Sequence, residues 1–284
     1  MAEAQGITQS GTLDIDGTAS FTAGAHAIVL TDVTNDFTGT VSLNNSGANA
    51  VTLVNSTALV LGTSEVGSGT LDVTAGGAIT QSGAILQAAN AGTVTLTVTA
   101  ADTDIDLSTA ANDFSGSVVF TSSGGGSIRN VGFRNANASP SLPSIPGTIN
   151  SLSIIYDNAS LDLPALTLTG DLVAEGQGVT QSGTLDVDGT ASFTAGAHAI
   201  VLTDVTNDFT GAVSLSNSGA NAVTLVDVNG LVLGASSVGS GPLDVTAVGI
   251  TQSGPLTQAA AAGPATFNAG AGVLTLDAAG NVFT

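Results

Sequence analysis

The stretch ITQSGTLDIDG at residues 7–17 returns almost unchanged as VTQSGTLDVDG at residues 179–189. The copy continues well beyond this phrase, because about 48 of the 56 aligned positions are identical between residues 7–62 and 179–234. The two blocks therefore define a long repeat of about 172 residues. Repetition at fixed spacing is typical of an array of stacked structural units, and such arrays build length and surface rather than one reaction centre.

The core phrase ITQSG occurs twice more, at residues 79–83 and 250–254, so a short repeat of about 72 residues lies within the long one. The two histidines follow the same rule, since His26 and His198 occupy equivalent positions of the two blocks. A metal site needs several ligands that converge. We therefore expect both histidines to have turn or surface roles.

Apolar and polar residues alternate in short runs, such as LDID at 13–16, VTL at 51–53 and LDV at 71–73. A period of two is typical of half-buried strands, and the turn-forming residues Gly, Asn, Ser and Asp separate these runs. The sequence therefore predicts an all-β fold, a parallel β-solenoid built from tandem repeats. We expect about 11 to 14 coils of roughly 20 to 26 residues, with strands stacked about 4.8 Å apart.

The expected organisation is a single continuous β-solenoid segment over residues 1–284. Internal repeats fill residues 6–126 and 178–284, and a divergent segment at 127–177 contains four of the seven prolines. Proline cannot donate a ladder hydrogen bond. We therefore predict that the run SPSLPSIPG at 139–147 is a loop that leaves the coil.

The divergent segment also contains both basic residues and the only tyrosine of the chain. Arg129, Arg134 and Tyr156 are the candidates for a recognition loop. The alternative is that the two arginines pair with acidic residues on neighbouring coils.

The tripeptide Asn-Asp-Phe recurs three times, and a looser copy, NVF, stands at 281–283. Asn and Asp tolerate left-handed turns and bond nearby backbone, and the phenylalanine is predicted to fill a corner of the core. We assign structural turn or ladder roles to Asn35, Asp36, Phe37, Asn112, Asp113, Phe114, Asn207, Asp208 and Phe209.

The charge of the chain restricts its partners. It carries 22 acidic and two basic residues, and its formal net charge is −20. Nucleic acids and anionic membrane surfaces require clustered Lys and Arg, so we expect neither as a partner. No run approaches the 18 apolar residues of a membrane span, so no membrane insertion is expected. The absence of cysteine excludes disulfides and zinc thiolate sites.

Calcium is the one metal that the acidic residues leave open, since hard cations bind carboxylate oxygens. Neither the spacing of an EF-hand nor the GGxGxD repeat of calcium-loaded β-rolls is present. We therefore expect no cofactor and no specific metal site, with weak calcium candidates at Asp14, Asp16, Asp186 and Asp188.

Three phrases, AITQSG at 78–83, NDFTGAV at 207–213 and LDVTA at 243–247, resemble repeats of very large bacterial surface proteins. These are the filamentous haemagglutinin-like exoproteins and the autotransporter adhesins. The resemblance covers nearly the whole chain. It implies a right-handed parallel β-helix, export to the cell surface or the extracellular space, and a stalk or adhesive role within a larger parent protein.

The expected function is therefore structural or adhesive, either as a rod-like stalk or as a fibre subunit that associates with itself head to tail. Open coil ends carry unpaired strand edges that recruit another chain. The other expected partner is a host or cell-surface glycan or protein. The alternative is a carbohydrate-binding or polysaccharide-cleaving module centred on Ser127–Tyr156. Catalysis is not expected, because the chain shows no catalytic triad pattern, phosphate loop or dinucleotide fingerprint.

Overall fold

The computed structural model describes all residues from 1 to 284, and it consists of strands, turns and irregular segments without any helix. The chain divides into two compact units, Met1–Pro146 and Gly147–Thr284. The boundary falls inside the divergent segment that the sequence places at 127–177. In each unit, parallel strands stack coil upon coil, which confirms the predicted all-β solenoid.

The first unit contains seventeen strands. In chain order they are β1 (Ala2–Glu3), β2 (Ile7–Thr8), β3 (Asp14–Ile15), β4 (Ala19–Thr22), β5 (Ile28–Leu30), β6 (Asp36–Phe37), β7 (Thr40–Asn44), β8 (Val51–Asn55), β9 (Leu59–Leu61), β10 (Ser64–Val66), β11 (Leu71–Ala75), β12 (Ile79–Gln81), β13 (Ile85–Gln87), β14 (Val94–Val98), β15 (Thr103–Asn112), β16 (Val118–Ser122) and β17 (Ile128–Asn135).

Six of these strands form a parallel sheet in the order β16-β14-β11-β8-β5-β2. The register advances by 20 to 24 residues between neighbouring strands, which is the length of one coil. A second set of parallel pairs runs through β4, β7, β9, β12, β15 and β17. Strands β3 and β6 form a short third face.

The core is a set of apolar columns that run from coil to coil. Burial alternates strictly along β8, β11 and β14, so every second side chain points inward. Ile28, Val51, Leu71 and Val94 occupy one such column, and each is at most 1% exposed. Because burying apolar surface contributes about 25 cal/mol per Å², these columns stabilise neighbouring coils against each other.

The second unit contains eighteen strands. They are β18 (Thr148–Ile149), β19 (Ser151–Tyr156), β20 (Leu161–Leu163), β21 (Leu166–Leu168), β22 (Leu172–Glu175), β23 (Val179–Gln181), β24 (Leu185–Val187), β25 (Ala191–Thr194), β26 (Ile200–Leu202), β27 (Asp208–Phe209), β28 (Ala212–Ser216), β29 (Val223–Val226), β30 (Leu231–Leu233), β31 (Ser236–Val238), β32 (Leu243–Thr246), β33 (Ile250–Gln252), β34 (Leu256–Gln258) and β35 (Ala265–Asn268).

The second unit repeats the design of the first. Its six-stranded sheet has the order β20-β23-β26-β29-β32-β35, and the register advances by 18 to 23 residues per coil. Strands β18, β21, β24 and β27 form a four-stranded sheet. Phe193 and Phe209 meet edge to face inside this unit at 5.9 Å between ring centroids, as Phe21 and Phe37 do in the first unit.

Glycines mark corners where successive coils approach closely. A Cβ added at Gly39 would meet the carbonyl group of Gly17 on the preceding coil, and Gly211 stands in the same relation to Gly189. Gly17 itself has open space at its Cβ position. In the first pair, the stacking therefore requires a glycine at position 39 but not at position 17.

The proline-rich run at 139–147 forms no strand, as predicted, but it does not leave the coil as we expected. Ser144 forms a parallel bridge with Val119, and its N–H donates to the carbonyl of Val118 at 2.8 Å. Pro143 is buried. Because the prolines lack N–H groups, pairing is limited to a single bridge. The run follows the coil without forming a strand.

Candidate functional site

The glutamine of each ITQSG phrase forms a reciprocal amide pair with an asparagine on the next coil. Gln9 Nε2 donates to Asn35 Oδ1 at 2.8 Å, and Asn35 Nδ2 donates to Gln9 Oε1 at 3.0 Å. These pairs are termed amide clasps, and the other three join Gln81 to Asn112, Gln181 to Asn207, and Gln252 to Asn281.

Each clasp also satisfies backbone groups. Asn207 Oδ1 accepts from the Leu185 N–H at 3.0 Å, and Asn207 Nδ2 donates to the Val226 carbonyl at 3.1 Å. Gln181 Nε2 donates to the Gly183 carbonyl at 2.7 Å. Asn207 is fully buried, and burying an amide is costly unless its hydrogen bonds are made. One asparagine thus ties together groups from three successive stretches of the solenoid.

The phrase that carries the clasp occupies more than one face of the coil. In the first block it starts at β2, within the six-stranded sheet, whereas its second copy is β12, which pairs with β9 and β15 in the other set. The short repeat is therefore not a whole number of coils. The sequence revealed the recurring phrases, but it did not reveal that their glutamines and asparagines bond to each other.

The Asn-Asp-Phe residues lie in or beside strands rather than in left-handed turns. Asp36–Phe37 and Asp208–Phe209 are strands β6 and β27, and Asn112 ends β15. None of the nine predicted residues has a positive φ. All three phenylalanines are buried: Phe37 and Phe209 point inward from their strands, and Phe114 follows the end of β15 and stacks on Phe133 with 5.6 Å between ring centroids.

The acidic residue of the tripeptide accepts a hydrogen bond from the next coil. Thr57 Oγ1 donates to Asp36 at 2.8 Å, and Asn229 Nδ2 donates to Asp208 at 2.8 Å. Asp113 accepts from Asn137 at 2.6 Å in the same way. Asn, Asp and Phe therefore connect neighbouring coils by an amide pair, a carboxylate contact and apolar packing.

Both arginines lie on strand β17 rather than on a loop. Arg129 Nε and Nη2 donate to the two carboxylate oxygens of Asp104 at 2.9 and 2.7 Å, and Asp102 lies 3.9 Å away. The hydrogen bonds from Arg129 hold the pKa of Asp104 below its usual value. This is the pairing with acids on a neighbouring coil that the sequence left open as the alternative to recognition.

The other two residues of the predicted recognition loop are embedded in the strands. Arg134 is half-buried on β17, and its carbonyl accepts from Asn112 Nδ2 at 3.2 Å. In the second unit, Tyr156 ends strand β19, is only 3% exposed, and has its pKa raised by burial. It borders a cavity of about 330 Å³ that Glu175 and His198 also line.

The weak calcium candidates lie on the surface. Asp14 is in register with Asp36, and Asp186 is in register with Asp208, so carboxylates stand side by side on adjacent coils. Asp16 and Asp188 are exposed. No three of the chain's His, Asp and Glu side chains converge as a metal site requires.

The histidines lie in exposed turns. The His26 N–H donates to the Ala23 carbonyl at 3.1 Å, and its own carbonyl accepts from Asn45 Nδ2 at 3.1 Å. His198 repeats this arrangement with Ala195 and Asn217.

A groove of about 350 Å³ lies on the outer face of the second unit. Its hydroxyl groups stack in register from coil to coil, since Ser192 pairs with Ser214, and Ser237 pairs with both Ser216 and Thr257. In the first unit, Glu65 and Leu86 replace the last two hydroxyl residues. The serine groove, defined as Ser192, Ser214, Ser216, Ser237 and Thr257, therefore offers uncharged donors and acceptors.

Residues 1–44, 48–121, 150–216 and 220–284 match the family described as Repeats of unknown function (DUF5649). The chain belongs to this family. Each of the four DUF5649 segments contains one complete amide clasp. Every copy of the repeat in this chain therefore has its own clasp. No curated protein and no solved structure shows a significant match to the chain. No helix with the length and apolar character of a membrane span is found.

Proposed function

We propose that this chain is a non-enzymatic structural module of an exported bacterial surface protein, which extends by stacking coils and holds polar faces outward for contact. The observation that carries this proposal is the amide clasp, which fastens coil to coil once in each DUF5649 segment. In repeat arrays each unit contacts only its neighbours. The resemblance to filamentous haemagglutinin-like exoproteins supports the surface location.

Removal of one whole coil tests the structural role. Deleting residues 51–70 brings Leu71 into the register position that Val51 holds opposite Ile28, so the columns of inward residues continue. We expect the β-type circular dichroism and cooperative unfolding to survive. The control deletion, residues 51–60, shifts every later strand by half a coil relative to the coils before it, so stacking at the junction should be lost and unfolding should no longer be a single cooperative transition. Equal loss of structure in both chains would overturn the modular role.

We propose that the adhesive contacts are weak and multivalent, and the serine groove favours a glycan as the partner. Stacked hydroxyl groups can donate and accept hydrogen bonds toward a polyhydroxylated ligand, and many weak contacts add up when the protein is displayed in many copies.

Beads coated with the chain, applied to a broad glycan array, test this partner. We expect the array to retain beads coated with the wild-type chain. Beads coated with the double variant Ser192→Ala and Ser214→Ala should not be retained. The matched control changes Ser20 and Ser42, the corresponding register pair of the first unit, and should leave retention intact. No glycan signal with any chain removes the glycan proposal and leaves the structural one standing.

We further propose that the chain associates with itself by coil stacking. Strands in each unit pair through both edges from coil to coil, as β29 does with β26 and β32. One coil is therefore a template for another, and unpaired strand edges of this kind recruit partners.

Sizing with light scattering over a wide concentration range tests self-association. We expect growth in mass with concentration, and loss of that growth in Phe283→Lys, which places a charge on the last coil, where Phe283 is 43% exposed. The control, Val205→Lys, makes the same charge change at a corner side chain that is 71% exposed. A monomer at every concentration would refute coil stacking.

A further inference from the structure

One buried position has an amide side chain in the first of the two nearly identical blocks and a carboxyl in the second. It is Asn55 in the first block and Asp227 in the second. The side chains are 1% and 3% exposed, respectively. The preceding coil, which contains Phe37 and Phe209, has the same sequence around these residues in both blocks, whereas the three residues that follow the exchanged position differ.

The amide of Asn55 is used on both sides. Its Oδ1 accepts from the Phe37 N–H at 2.8 Å. Its Nδ2 donates to the Ala58 carbonyl at 2.9 Å and to the Thr57 carbonyl at 3.3 Å. Asn55 therefore closes the corner that follows strand β8 and ties it to the coil of Phe37.

Asp227 reproduces only half of this arrangement. Its Oδ1 accepts from the Phe209 N–H at 2.9 Å, as Asn55 does from Phe37. Its Oδ2, which takes the place of the donating amide nitrogen, is buried and has no hydrogen-bond partner in the protein. In sequence, Asn229 and Gly230 replace Thr57 and Ala58, whose carbonyls accept from the Asn55 amide. An ionised carboxylate oxygen cannot donate to a carbonyl, whereas a protonated one can.

The charges around Asp227 add to the cost of its ionisation. Charged side chains on the neighbouring elements are Asp204 before β27, Asp208 on β27, and Asp244 on β32, and all three are acidic. The second unit contains no Lys or Arg. Burial, with a smaller contribution from Asp208, raises the pKa of Asp227 against the opposing backbone hydrogen bonds.

We propose that protonation of Asp227 stabilises the corner at residues 227–230 of the second unit. Its neutral carboxyl donates the Oδ2–H to the corner carbonyls, as the Asn55 amide does in the first unit, and ionisation loosens the corner at 227–230. The first unit has no such dependence, because an amide does not titrate. This inference stands apart from the proposed function, since it rests on the exchanged side chain alone.

The direction of the pH effect follows from the raised pKa. The stabilisation is fully present below the unfolded pKa of the carboxyl and is lost as the pH rises through the higher folded pKa. The corner of the second unit is therefore more stable at low pH than at high pH.

Hydrogen exchange of the full chain, resolved by peptide between pH 4 and 8 and corrected for intrinsic rates, tests the proposal. Peptides over 205–231 should lose protection as the pH rises, about tenfold for each unit by which the folded pKa exceeds the unfolded one. Peptides over 33–59 provide the internal control, because they surround Asn55. Constant protection of 205–231 across this range would overturn the proposal.

Two reciprocal variants complete the test. Asp227→Asn should remove the pH dependence from 205–231, and Asn55→Asp should create one in 33–59. If Asp227→Asn keeps the wild-type pH dependence, another group is responsible and the proposal fails. If Asn55→Asp does not fold, the comparison of wild type with Asp227→Asn still decides, since the amide at this position already occurs in the first unit.

Discussion

Single amide side chains connect the coils of this protein. Asn207 accepts one backbone N–H, donates to one backbone carbonyl and pairs with Gln181, all within a fully buried site. A buried polar group left without its partner costs about 1–3 kcal/mol. Asn207 therefore stabilises the stacking of coils by its hydrogen bonds as well as by filling space. Its replacement measures how much one clasp contributes to the free energy of unfolding.

We predict that Asn207→Leu lowers the free energy of unfolding by about 3 kcal/mol or more, because the Leu185 N–H and the Gln181 amide both lose their partner. Denaturant unfolding measures the change. Asn221→Ala is the control, since the Asn221 side chain is exposed and makes one hydrogen bond, to the Ala197 carbonyl at 2.8 Å. The effect of this variant should stay within about 1 kcal/mol. Comparable losses in the two variants would contradict the importance of the clasp.

We predict that Arg129→Gln weakens the first unit slightly and in a pH-dependent way. The pKa of Asp104 is depressed in the folded state, chiefly by hydrogen bonds from Arg129. Its contribution is therefore present above the unfolded pKa and is lost as the pH falls through the folded one. Because the pair is largely exposed, the effect is small and is screened by salt.

Unfolding midpoints of wild type and Arg129→Gln at neutral pH and in strong acid check this prediction. The difference between the chains should be present at neutral pH and vanish in acid. Arg134→Gln provides a control with the same change in net charge on the same strand. A difference that persists in strong acid would show that Arg129 acts through something other than its carboxylate partner.

At the scale of the elements, the corners between strands limit how closely coils stack. Strand β7 begins directly after Gly39, whose position leaves no room for a side chain above the Gly17 carbonyl. The strands themselves tolerate variation, because inward positions need only apolar residues of suitable size. Corners are therefore more restrictive than strands.

We predict that Gly39→Ala destabilises the chain by about 1–3 kcal/mol, because its Cβ would overpack the corner. Gly17→Ala makes the same chemical change one coil earlier, where the Cβ position is open, and should be close to neutral. Thermal and denaturant unfolding of both variants provide the measurement. Similar behaviour of the two alanine variants would show that the corner relaxes to accept a methyl group.

At the scale of the whole chain, charge acts against compactness. A net charge of −20 with two basic residues means that carboxylates repel one another and keep separate copies apart. Some of them stand in register on adjacent coils, as Asp14 and Asp36 do. Salt therefore acts on both stability and association.

We predict that the unfolding midpoint rises as sodium chloride increases from 0.01 M to 0.15 M, because the Debye length shortens from about 30 Å to about 8 Å. Self-association should strengthen over the same range. In strong acid, where the carboxylates are neutral, the salt effect on the midpoint should disappear. A midpoint that falls with salt at neutral pH would contradict net repulsion.

The sequence was sufficient for the fold because it carries two periodic signals. Alternation in runs such as Leu71–Ala75 predicts a strand with one inward face, and the spacing of the copies predicts stacking. It was insufficient at 139–147, where Ser144 keeps one bridge despite three nearby prolines, because a single pairing leaves no periodic signal.

The clasps were missed for a different reason. Gln9 and Asn35 were each visible as recurring residues, but their contact depends on coil length, which the alternation of single strands does not fix. The available signal was joint recurrence, since Gln181 and Asn207 keep the same separation as the first pair. Likewise, the burial of Asp227 was signalled only by its place in the apolar–polar alternation, at the position that Asn55 occupies in the first block.

The amide clasp also constrains how this sequence can drift over generations. Gln81 and Asn112 are farther apart in sequence than Gln9 and Asn35, because the coil from Ile79 to its register partner Ile105 is longer than the coil from Ile7 to Ile28. Insertions in that coil are thus compatible with the contact, whereas replacement of either amide alone is not. Related DUF5649 sequences should therefore change the two positions together, and paired substitutions a coil apart would reveal coil length without any structure.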